Sequence, residues 1–287
     1  TATSGSFGAT IVASKLLKLN EAQTINALGL VSTRASGIKS QFGTMGKPYH
    51  AGMAASNGIE AAKLSKLGFV SREDGIECDQ GFFLTHGWDK KTPTRAVENL
   101  GTDFLFPEIK YKFHACCHGL HSFLEALEEL KQENNFNPES IEEIAIETNP
   151  SWLKVCNIQE PKTGLESKFS YKLTAAMSIY GKDTADLGTY NDDICFDDKM
   201  NNIRDKVKVI PNDQLSNTQS LISIKDGSRD VKNKHDLSDK IDQNILETKI
   251  VNKSASLLSK NKSHEISKML NAPSESKVSS LVDCLVS

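Results

Sequence analysis

Small and apolar residues recur at helical spacing through the first hundred positions of the chain. One repeat, three to four positions apart, predicts a face of a first helix made of Phe7, Ile11, Ser14 and Leu17. Asn20 followed by Gln23 resembles a capping box, which predicts that a second helix begins there. The first part of the chain is therefore predicted to be helical.

A third helix is predicted from a repeat of mostly small residues, namely Ala51, Ala55, Ile59 and Ala62. Glycine and alanine fill most of the remaining positions, so neighbouring helices can approach this one closely. Such a helix is expected inside a helical domain rather than on its surface. Gly68 is predicted to lie just past its C-terminus.

The pattern changes near Phe106-Pro107, beyond which helix and strand signals mix. One amphipathic helix is predicted with Glu125, Glu128 and Glu129 outward and an apolar face of Leu120, Phe123, Leu124, Leu127 and Leu130. Alternation predicts strands at three pairs of positions, Ile144 and Ile146, Val207 and Val209, and Ile222 and Ile224. Asp226-Gly227 is a turn signal. The charged segment from Lys225 to Lys240 is predicted to be a linker or an exposed loop.

These patterns together predict a mostly α-helical fold with an α+β insert. Residues 1–107 are expected to form part of a helical domain, and residues 108–236 a smaller α+β domain. Residues 237–287 are expected to form final helices that return to pack on the first domain.

Composition narrows the possible functions. The 287 residues carry a net charge of −3 with an isoelectric point near 6.2 and no basic stripe, which argues against a nucleic-acid partner. Mean hydropathy is −0.38, and no apolar run approaches the roughly 20 residues of a membrane span. The six cysteines include no C-x-x-C pair, so a reducing, cytoplasmic location is expected.

No metal or other cofactor is predicted, because zinc sites and iron–sulfur clusters need several thiolates or imidazoles at workable spacing. A metal site is the alternative at one cluster of possible ligands, which comprises His114, Cys116, Cys117, His118 and His121. His118 and His121 are three positions apart and could share a helix face.

The first candidate for chemistry is the start of the third helix, where Lys47 and His50 are three residues apart. Pro48 disfavours helix at Lys47 and suits the first turn, so Lys47 is expected in the approach and Tyr49 or His50 in the opening turn. Unpaired backbone N–H groups, the helix dipole and two basic side chains would favour an anionic ligand. The alternative is a surface lysine beside a structural histidine.

A second polar helix start covers residues 112–121 and carries Lys112, three histidines and two cysteines. Such groups can bind anions or move protons, although capping and buried thiols are the structural alternative. Tyr171 is predicted at the start of a short helix, where packing is the alternative to catalysis.

Several stretches together resemble the MmgE/PrpD family, which includes 2-methylcitrate dehydratase, cis-aconitate decarboxylase and an iminodisuccinate epimerase. The segment SGIKSQFGTMGKPYHAGMAASNGIEAA is similar to the family's F-G-T-x-T-K-P-x-H-x-G-x-A-A block, and residues 112–130 and 167–176 add to the likeness. The resemblance implies a helical domain with an inserted lid domain, a homodimer, and an active site between domain and lid that uses no metal.

Carried over to this sequence, the resemblance implies catalytic roles for five residues. Lys47 matches the active-site lysine of the helical domain, with His50 in the same loop, and Lys112 matches the lysine at the start of the lid. Tyr171 matches the lid tyrosine. Cys117 falls where decarboxylase-type members have a histidine, and His114 or His118 could occupy that space instead.

Two departures from the family pattern shape the expectation for this chain. Gly46 replaces the usual hydroxyl residue before the lysine. The family's chain also extends upstream of Thr1, and that segment carries a catalytic histidine, an aspartate and a threonine. The sequence is therefore expected to be a fragment, a split gene product or a decayed copy that leaves substrate unchanged by itself and binds a complementing N-terminal chain.

The resemblance implies a metal-independent lyase that acts on a small di- or tricarboxylate by removing a proton beside a carboxylate. Dehydration, as of 2-methylcitrate, is the first expectation. Decarboxylation, epimerisation and a non-catalytic remnant are the alternatives.

Overall fold

The computed structural model describes residues 2–87, 97–227 and 229–286. It divides the chain into two compact units, Thr1–Ile109 and Lys110–Ser287. Over the described residues the protein is mostly helical and has one small four-stranded mixed sheet. The predicted fold class is confirmed in this coarse form.

Three long helices build the described part of the first unit. It contains α1 (Ala2–Leu16), α2 (Glu21–Ser32), α3 (Gly46–Lys66) and the short α4 (Phe82–Thr85). Helix α1 packs along α3, and α2 contacts both. The predicted capping box is confirmed, since the Asn20 side chain accepts from the Gln23 N–H at 2.9 Å and the Asn20 N–H donates to the Gln23 side chain at 3.1 Å.

Glycine and alanine let α1 and α3 lie unusually close together. A Cβ at Gly58 would lie 2.5 Å from both the Ala9 Cβ and the Thr10 nitrogen, and one at Gly5 would lie 3.2 Å from the Ala54 Cβ. Because the contact is backbone against backbone, it excludes bulky side chains.

This close contact selects different buried faces from those that the sequence predicted. On α1 the buried residues are Ala2, Ser6, Thr10, Ala13 and Ser14, and Ile11 is exposed. On α3 they are Ala54, Asn57, Gly58, Ala61, Ala62 and Ser65, whereas Ala51, Ala55 and Ile59 are exposed. Of the residues on the predicted faces, Ser14 and Ala62 are buried and Phe7 and Leu17 are half-buried, whereas the other four are exposed.

The end of α3 follows the prediction. Gly68 adopts a left-handed φ of +90° just beyond the helix, and the N–H of Phe69 donates to the Leu64 carbonyl at 3.1 Å. The Gly68 N–H donates to the Ser65 carbonyl at 3.0 Å, which completes the hydrogen-bond pattern of a Schellman motif.

The second unit combines a sheet with many helices. Its strands are β1 (Ile141–Thr148), β2 (Val207–Pro211), β3 (Gln219–Asp226) and β4 (Arg229–Asp236). Its helices are α5 (His121–Glu133), α6 (Pro150–Leu153), α7 (Gly164–Ser167), α8 (Tyr171–Ile179), α9 (Asp193–Phe196), α10 (Asp198–Asp205), α11 (Gln243–Leu258), α12 (Lys260–Asn271) and α13 (Val278–Val286).

The sheet has the strand order β2-β1-β3-β4, with β1 parallel to β2 and the other pairs antiparallel. Ile144 of β1 lies between Val207 and Ile224, and Ile146 pairs with Ile222. These side chains are buried, and α5 and α8 pack on the sheet. The three predicted strands are confirmed.

The charged segment near residue 230 was predicted to be a loop, and this prediction was wrong. Residues 229–236 form β4, which pairs with β3 along its whole length. Charged and polar side chains suit this strand because it lies at an edge of the sheet. Asn233 and His235 attach it to α5 through Glu129, at 2.6 and 2.8 Å.

The final helices contact the α+β part of their own unit through α11. The Lys249 ammonium pairs with Glu125 of α5, and Lys253 donates to the Ala185 carbonyl. Packing of residues 237–287 on the first unit stays a prediction. No described helix has the length and apolar character needed to cross a membrane.

Candidate functional site

The candidate site in the first unit is the loop before α3. Gly37 and Gly43 have left-handed φ values of +101° and +85°. A Cβ at Gly37 would lie 2.9 Å from the Ala2 Cβ and 3.5 Å from the His50 ring, so the loop passes close to this histidine. His50 is half-buried there.

Lys47 lies in the first turn of α3 rather than in the approach to the helix, because α3 begins at Gly46. Its ammonium lies 4.4 Å from the centroid of the Phe42 ring, which is a cation–π contact. The half-buried Lys47 side chain is thus directed by the aromatic residue of the same loop.

The backbone at this helix start differs from the expectation of unpaired N–H groups. The Gly46 N–H donates to the Thr44 hydroxyl at 3.0 Å, and the Lys47 N–H donates to the Thr44 carbonyl at 3.3 Å. Pro48 has no N–H, and Tyr49 donates to Met45 at 3.2 Å. Anion binding at this point would therefore depend on the side chains of Lys47 and His50.

The candidate site in the second unit is the segment of residues 112–121. Lys112 is exposed, whereas His114, Cys116 and Cys117 are buried. Two backbone hydrogen bonds hold the segment, from Ala115 to the Thr184 carbonyl at 2.8 Å and from Cys117 to the Lys168 carbonyl at 2.9 Å. It therefore runs between residue 168 and the loop around residue 184.

His114 belongs to a buried polar network. Its Nδ1 lies 2.6 Å from the Thr184 hydroxyl and its Nε2 lies 3.1 Å from a Glu125 oxygen, and the other Glu125 oxygen pairs with Lys249. Burial alone would raise the pKa of Glu125, but hydrogen bonds from His114 and Lys249 outweigh it and lower the pKa to about 2. Glu125 was predicted to point outward, and this prediction was wrong.

His118 is the histidine of this segment that is half-exposed. Burial lowers its pKa, and the charge of Lys112 lowers it further, so the ring is neutral at neutral pH. Its ring centroid lies 5.4 Å from that of His121 and 6.4 Å from that of Trp152.

His121 is the first residue of α5 and is fully buried. Burial, followed by the charges of its basic neighbours, lowers its pKa to about 2, so it stays neutral. Within the part of the chain that the structure describes, neither ring nitrogen has a hydrogen-bond partner, and His114 contacts the ring edge-on at 5.1 Å.

Cys117 lies on the core side of the segment, where only 3% of it is exposed. Its thiol lies beside that of Cys156, whose pKa is raised by the contact with Cys117 and by burial. Burial raises the pKa of Cys116 to about 12. No disulfide joins the six cysteines, all of which lie in the described residues. The Cys117 side chain therefore lies in the core, whereas part of the His118 ring is exposed to solvent.

Tyr171 is fully buried at the start of α8. Its hydroxyl donates to the Gly119 carbonyl at 2.7 Å and lies 3.2 Å from the Thr148 hydroxyl. Burial raises its pKa well above the usual value. These contacts fit the packing alternative for this residue, and a catalytic role stays a prediction.

The cluster of histidines and cysteines in residues 114–121 was the place where a metal site remained an alternative. Over residues 2–87, 97–227 and 229–286, no three histidine, cysteine or carboxylate side chains are arranged to hold a metal ion.

Comparison with known proteins identifies the family. The chain matches the MmgE/PrpD N-terminal domain over residues 1–93 and the MmgE/PrpD C-terminal domain over residues 114–272. The chain belongs to the MmgE/PrpD family. The resemblance found from the sequence motifs is thereby confirmed.

Curated relatives of this MmgE/PrpD chain include named decarboxylases. A cis-aconitate decarboxylase-like protein of Aspergillus oryzae is 34% identical over 135 residues, which are 45% of this chain and 28% of that protein. A cis-aconitate decarboxylase of Aspergillus terreus is 34% identical over 125 residues, 41% of this chain and 26% of the relative. The human cis-aconitate decarboxylase is 35% identical over 78 residues, 27% and 16% of the two chains. The chain therefore spans at most 28% of the length of these relatives.

Sequence reasoning missed four residues around the second site of this MmgE/PrpD chain. Glu125 and Lys249 belong to the His114 network. The Lys168 ammonium lies 5.7 Å from the centroid of the Tyr190 ring, and Lys253 donates to the Ala185 carbonyl. Lys168 directly precedes the F-S-Y stretch of residues 169–171, so its place in the sequence could have indicated that it lies near the site. Lys253 is 141 positions from Lys112, and nothing local connects them.

Proposed function

We propose that the protein is a lyase that acts on a small di- or tricarboxylate without a metal ion. The observation that carries this proposal is the match to both MmgE/PrpD domains, together with relatives named as cis-aconitate decarboxylases. The basic residues at the two helix starts support an acidic substrate.

In this proposal Lys47 and Lys112 bind carboxylate groups of the substrate. Charge that develops when a bond breaks beside a carboxylate is delocalised into an enediolate, which a nearby ammonium stabilises. His118 is the proposed proton carrier of the lid segment, because its ring is neutral and partly exposed.

Two reactions fit this chemistry. In dehydration, a base takes the proton beside a carboxylate, and the hydroxyl leaves from the neighbouring carbon as water after gaining a proton. In decarboxylation, one carboxylate leaves as CO2, and the resulting carbanion takes up a proton. Dehydration was the expectation from the sequence, whereas the names of the curated relatives favour decarboxylation of cis-aconitate.

An assay with the protein expressed from its complete gene separates these reactions. The protein is incubated with cis-aconitate, 2-methylcitrate or iminodisuccinate, and CO2 release, alkene formation and loss of chirality are followed. Lys47→Met is expected to lower kcat/KM about 100-fold or more, as loss of a preorganised cationic group does. Lys199→Met, an exposed lysine of α10, is the control.

The proposal fails if none of the three acids is converted, or if Lys47→Met leaves the rate unchanged. The homodimer and the cytoplasmic location remain parts of the proposal. The six cysteines without a disulfide support a reducing compartment.

A further inference from the structure

The His118 ring is held by packing rather than by hydrogen bonds. Among the described residues, neither of its ring nitrogens has a hydrogen-bond or ion-pair partner. The ring of Trp152 lies 6.4 Å away between centroids and edge-on at 70°, and that of His121 lies 5.4 Å away, tilted at 41°. Both nitrogens of His118 therefore stay available to a proton, and the two neighbouring rings determine how the imidazole is oriented.

The main chain around His118 is fixed from both sides. The Cys117 N–H donates to the Lys168 carbonyl at 2.9 Å, and the Gly119 carbonyl accepts from the Tyr171 hydroxyl at 2.7 Å. His118 begins a single turn of 3₁₀ helix between these two attachments. With its main chain fixed, only the side-chain torsions of His118 remain to be set by its neighbours.

Trp152 lies directly on Gly119, the residue that follows His118. A Cβ at Gly119 would lie 2.5 Å from the indole Cε3, 2.6 Å from the indole Cδ2 and 2.8 Å from the Cys156 Sγ. Any side chain at position 119 would therefore displace the indole. Glycine is what allows Trp152 to reach the edge of the His118 ring.

The position of Trp152 is itself defined. Its indole N–H donates to the Asn217 carbonyl at 2.9 Å. The Ser151 hydroxyl donates to the Asn217 side-chain oxygen at 2.6 Å, and the Asn149 side chain donates to the Leu215 carbonyl at 2.8 Å. These bonds attach α6 to the loop between β2 and β3, so the half-buried indole has a fixed place beside the imidazole.

The groups around His118 also explain its charge state. Burial is the larger cause of its lowered pKa, and the charge of Lys112 in the same segment is the smaller one. His121 of α5 stays neutral, and α6 places the uncharged Trp152 indole against the ring. Because the indole covers part of the imidazole, removing it would admit water and favour the protonated form.

We propose that Trp152 is a positioning residue, which holds the His118 imidazole in the orientation that lets it carry a proton. This inference rests on the proposed function, in which His118 is the proton carrier of the lid segment. It adds to that function a residue that need not touch the substrate. Its effect on the reaction passes through Gly119 and the edge of the His118 ring.

The test compares three variants of the protein expressed from its complete gene. Trp152→Leu removes the ring, and Trp152→Phe keeps a flat ring beside Gly119. Ser151→Ala is the matched control, because it removes an attachment of α6 without touching His118. Histidine NMR gives the titration midpoint of His118, and kcat and KM are measured against pH with the acid that the wild type converts.

In Trp152→Leu the midpoint of His118 is expected to rise by about 0.5–1 pH unit, and the acidic limb of the pH profile of kcat/KM should rise with it. A misplaced imidazole is expected to lower kcat about tenfold or more while KM stays within about twofold. Trp152→Phe should restore most of the rate, and Ser151→Ala should leave midpoint and profile unchanged. An unchanged midpoint and profile in folded Trp152→Leu would overturn the proposal, even if the variant melts at a lower temperature.

A fluorine label tests the contact in the wild type, so it does not depend on a variant that folds. The protein contains two tryptophans, and 5-fluorotryptophan gives one signal for each. One of the two signals is expected to move with pH at the midpoint of His118, because a charge that appears 6.4 Å from the indole changes its local field. If neither signal follows this titration, the contact and the proposal fail.

The failure of this inference differs from the failure of the proposed function. A raised His118 midpoint in Trp152→Leu, in a protein that converts no carboxylic acid, would refute the lyase and keep the hold of Trp152 on His118. Turnover of an acid with the same kcat and pH profile in wild type and Trp152→Leu would refute the positioning role and keep the lyase.

Discussion

Among single residues, Glu125 has contacts that join segments far apart in the sequence. Through His114 it reaches Thr184, and through its second oxygen it reaches Lys249, which lies 124 positions further along the chain. Helical periodicity places this glutamate on the outer face of α5, where the segment at His114 and helix α11 contact it. No local pattern could have indicated that burial.

Replacing Glu125 by glutamine is expected to lower the free energy of unfolding by about 2–3 kcal/mol at pH 7, because Lys249 loses its counter-charge in a partly buried position. The pKa of Glu125 is lowered from 4.5 to about 2 on folding, so its stabilisation is present above pH 4.5 and is lost as pH falls towards 2. The difference between variant and wild type should therefore shrink with falling pH. Urea unfolding between pH 7 and 3 measures it, with Glu142→Gln, an exposed residue of β1, as the control.

Replacing Tyr171 by phenylalanine separates packing from catalysis. Loss of the hydroxyl leaves the buried Gly119 carbonyl without its partner, so a loss of about 1–2 kcal/mol in unfolding free energy is expected. The turnover rate should change less than tenfold, with stability and turnover measured on the same preparation. Tyr180→Phe, whose hydroxyl lies 3.4 Å from Glu139, is the matched control. A hundredfold or larger drop in turnover would restore Tyr171 to the proton-transfer role that the family resemblance implies.

At the level of elements, periodicity was enough to locate helices and strands but not to orient them. The capping box at Asn20, the helix end at Gly68 and the strands β1, β2 and β3 follow from local chemistry, and all were predicted. The buried faces of α1 and α3 were missed because backbone contact between glycine and alanine, rather than the largest side chains, decides that packing. Strand β4 was missed because charged and polar side chains occupy almost all of its positions, so it lacks the alternation of apolar and polar residues that predicts a strand. Its pairing with β3 is what makes it a strand.

Two glycines of α3 make a matched test of this packing. Gly58→Ala places a methyl group 2.5 Å from the Ala9 Cβ and the Thr10 nitrogen, so α1 and α3 must separate, and a destabilisation of about 1–3 kcal/mol is expected. At Gly52 a Cβ meets nothing within 4 Å, so Gly52→Ala should stabilise by up to about 1 kcal/mol through helix propensity. Thermal unfolding followed by circular dichroism compares them. Equal effects of the two substitutions would contradict the close helix contact.

For the molecule as a whole, family membership could be established from the sequence, whereas part of the candidate site could not. The motif around Lys47 and the segment at Lys112 are local, so they were visible without a structure. The set of His114, Glu125 and Lys249 depends on the path of three separate segments through the second unit. A sequence cannot show that convergence, because no residue in any one segment requires the other two.

The proposed lyase is expected to keep its activity after treatment with EDTA and removal of the chelator. This expectation rests on the sequence, which predicts no zinc site or iron–sulfur cluster from the spacing of its cysteines and histidines. Activity is measured with and without added zinc or iron(II). Loss on chelation with recovery on adding either metal would contradict the metal-independent mechanism and return attention to His118 and His121.

The ion pair between Glu125 and Lys249 also has a consequence for how the protein is made. A ribosome completes α5 and β1 about a hundred residues before it reaches Lys249 of α11, so for that interval Glu125 is without its lysine. An uncompensated carboxylate in such a place opposes collapse of the surrounding apolar side chains. The part of the second unit around Glu125 is therefore expected to close late in synthesis, and a nascent chain that stalls before residue 249 is expected to leave this carboxylate open to water.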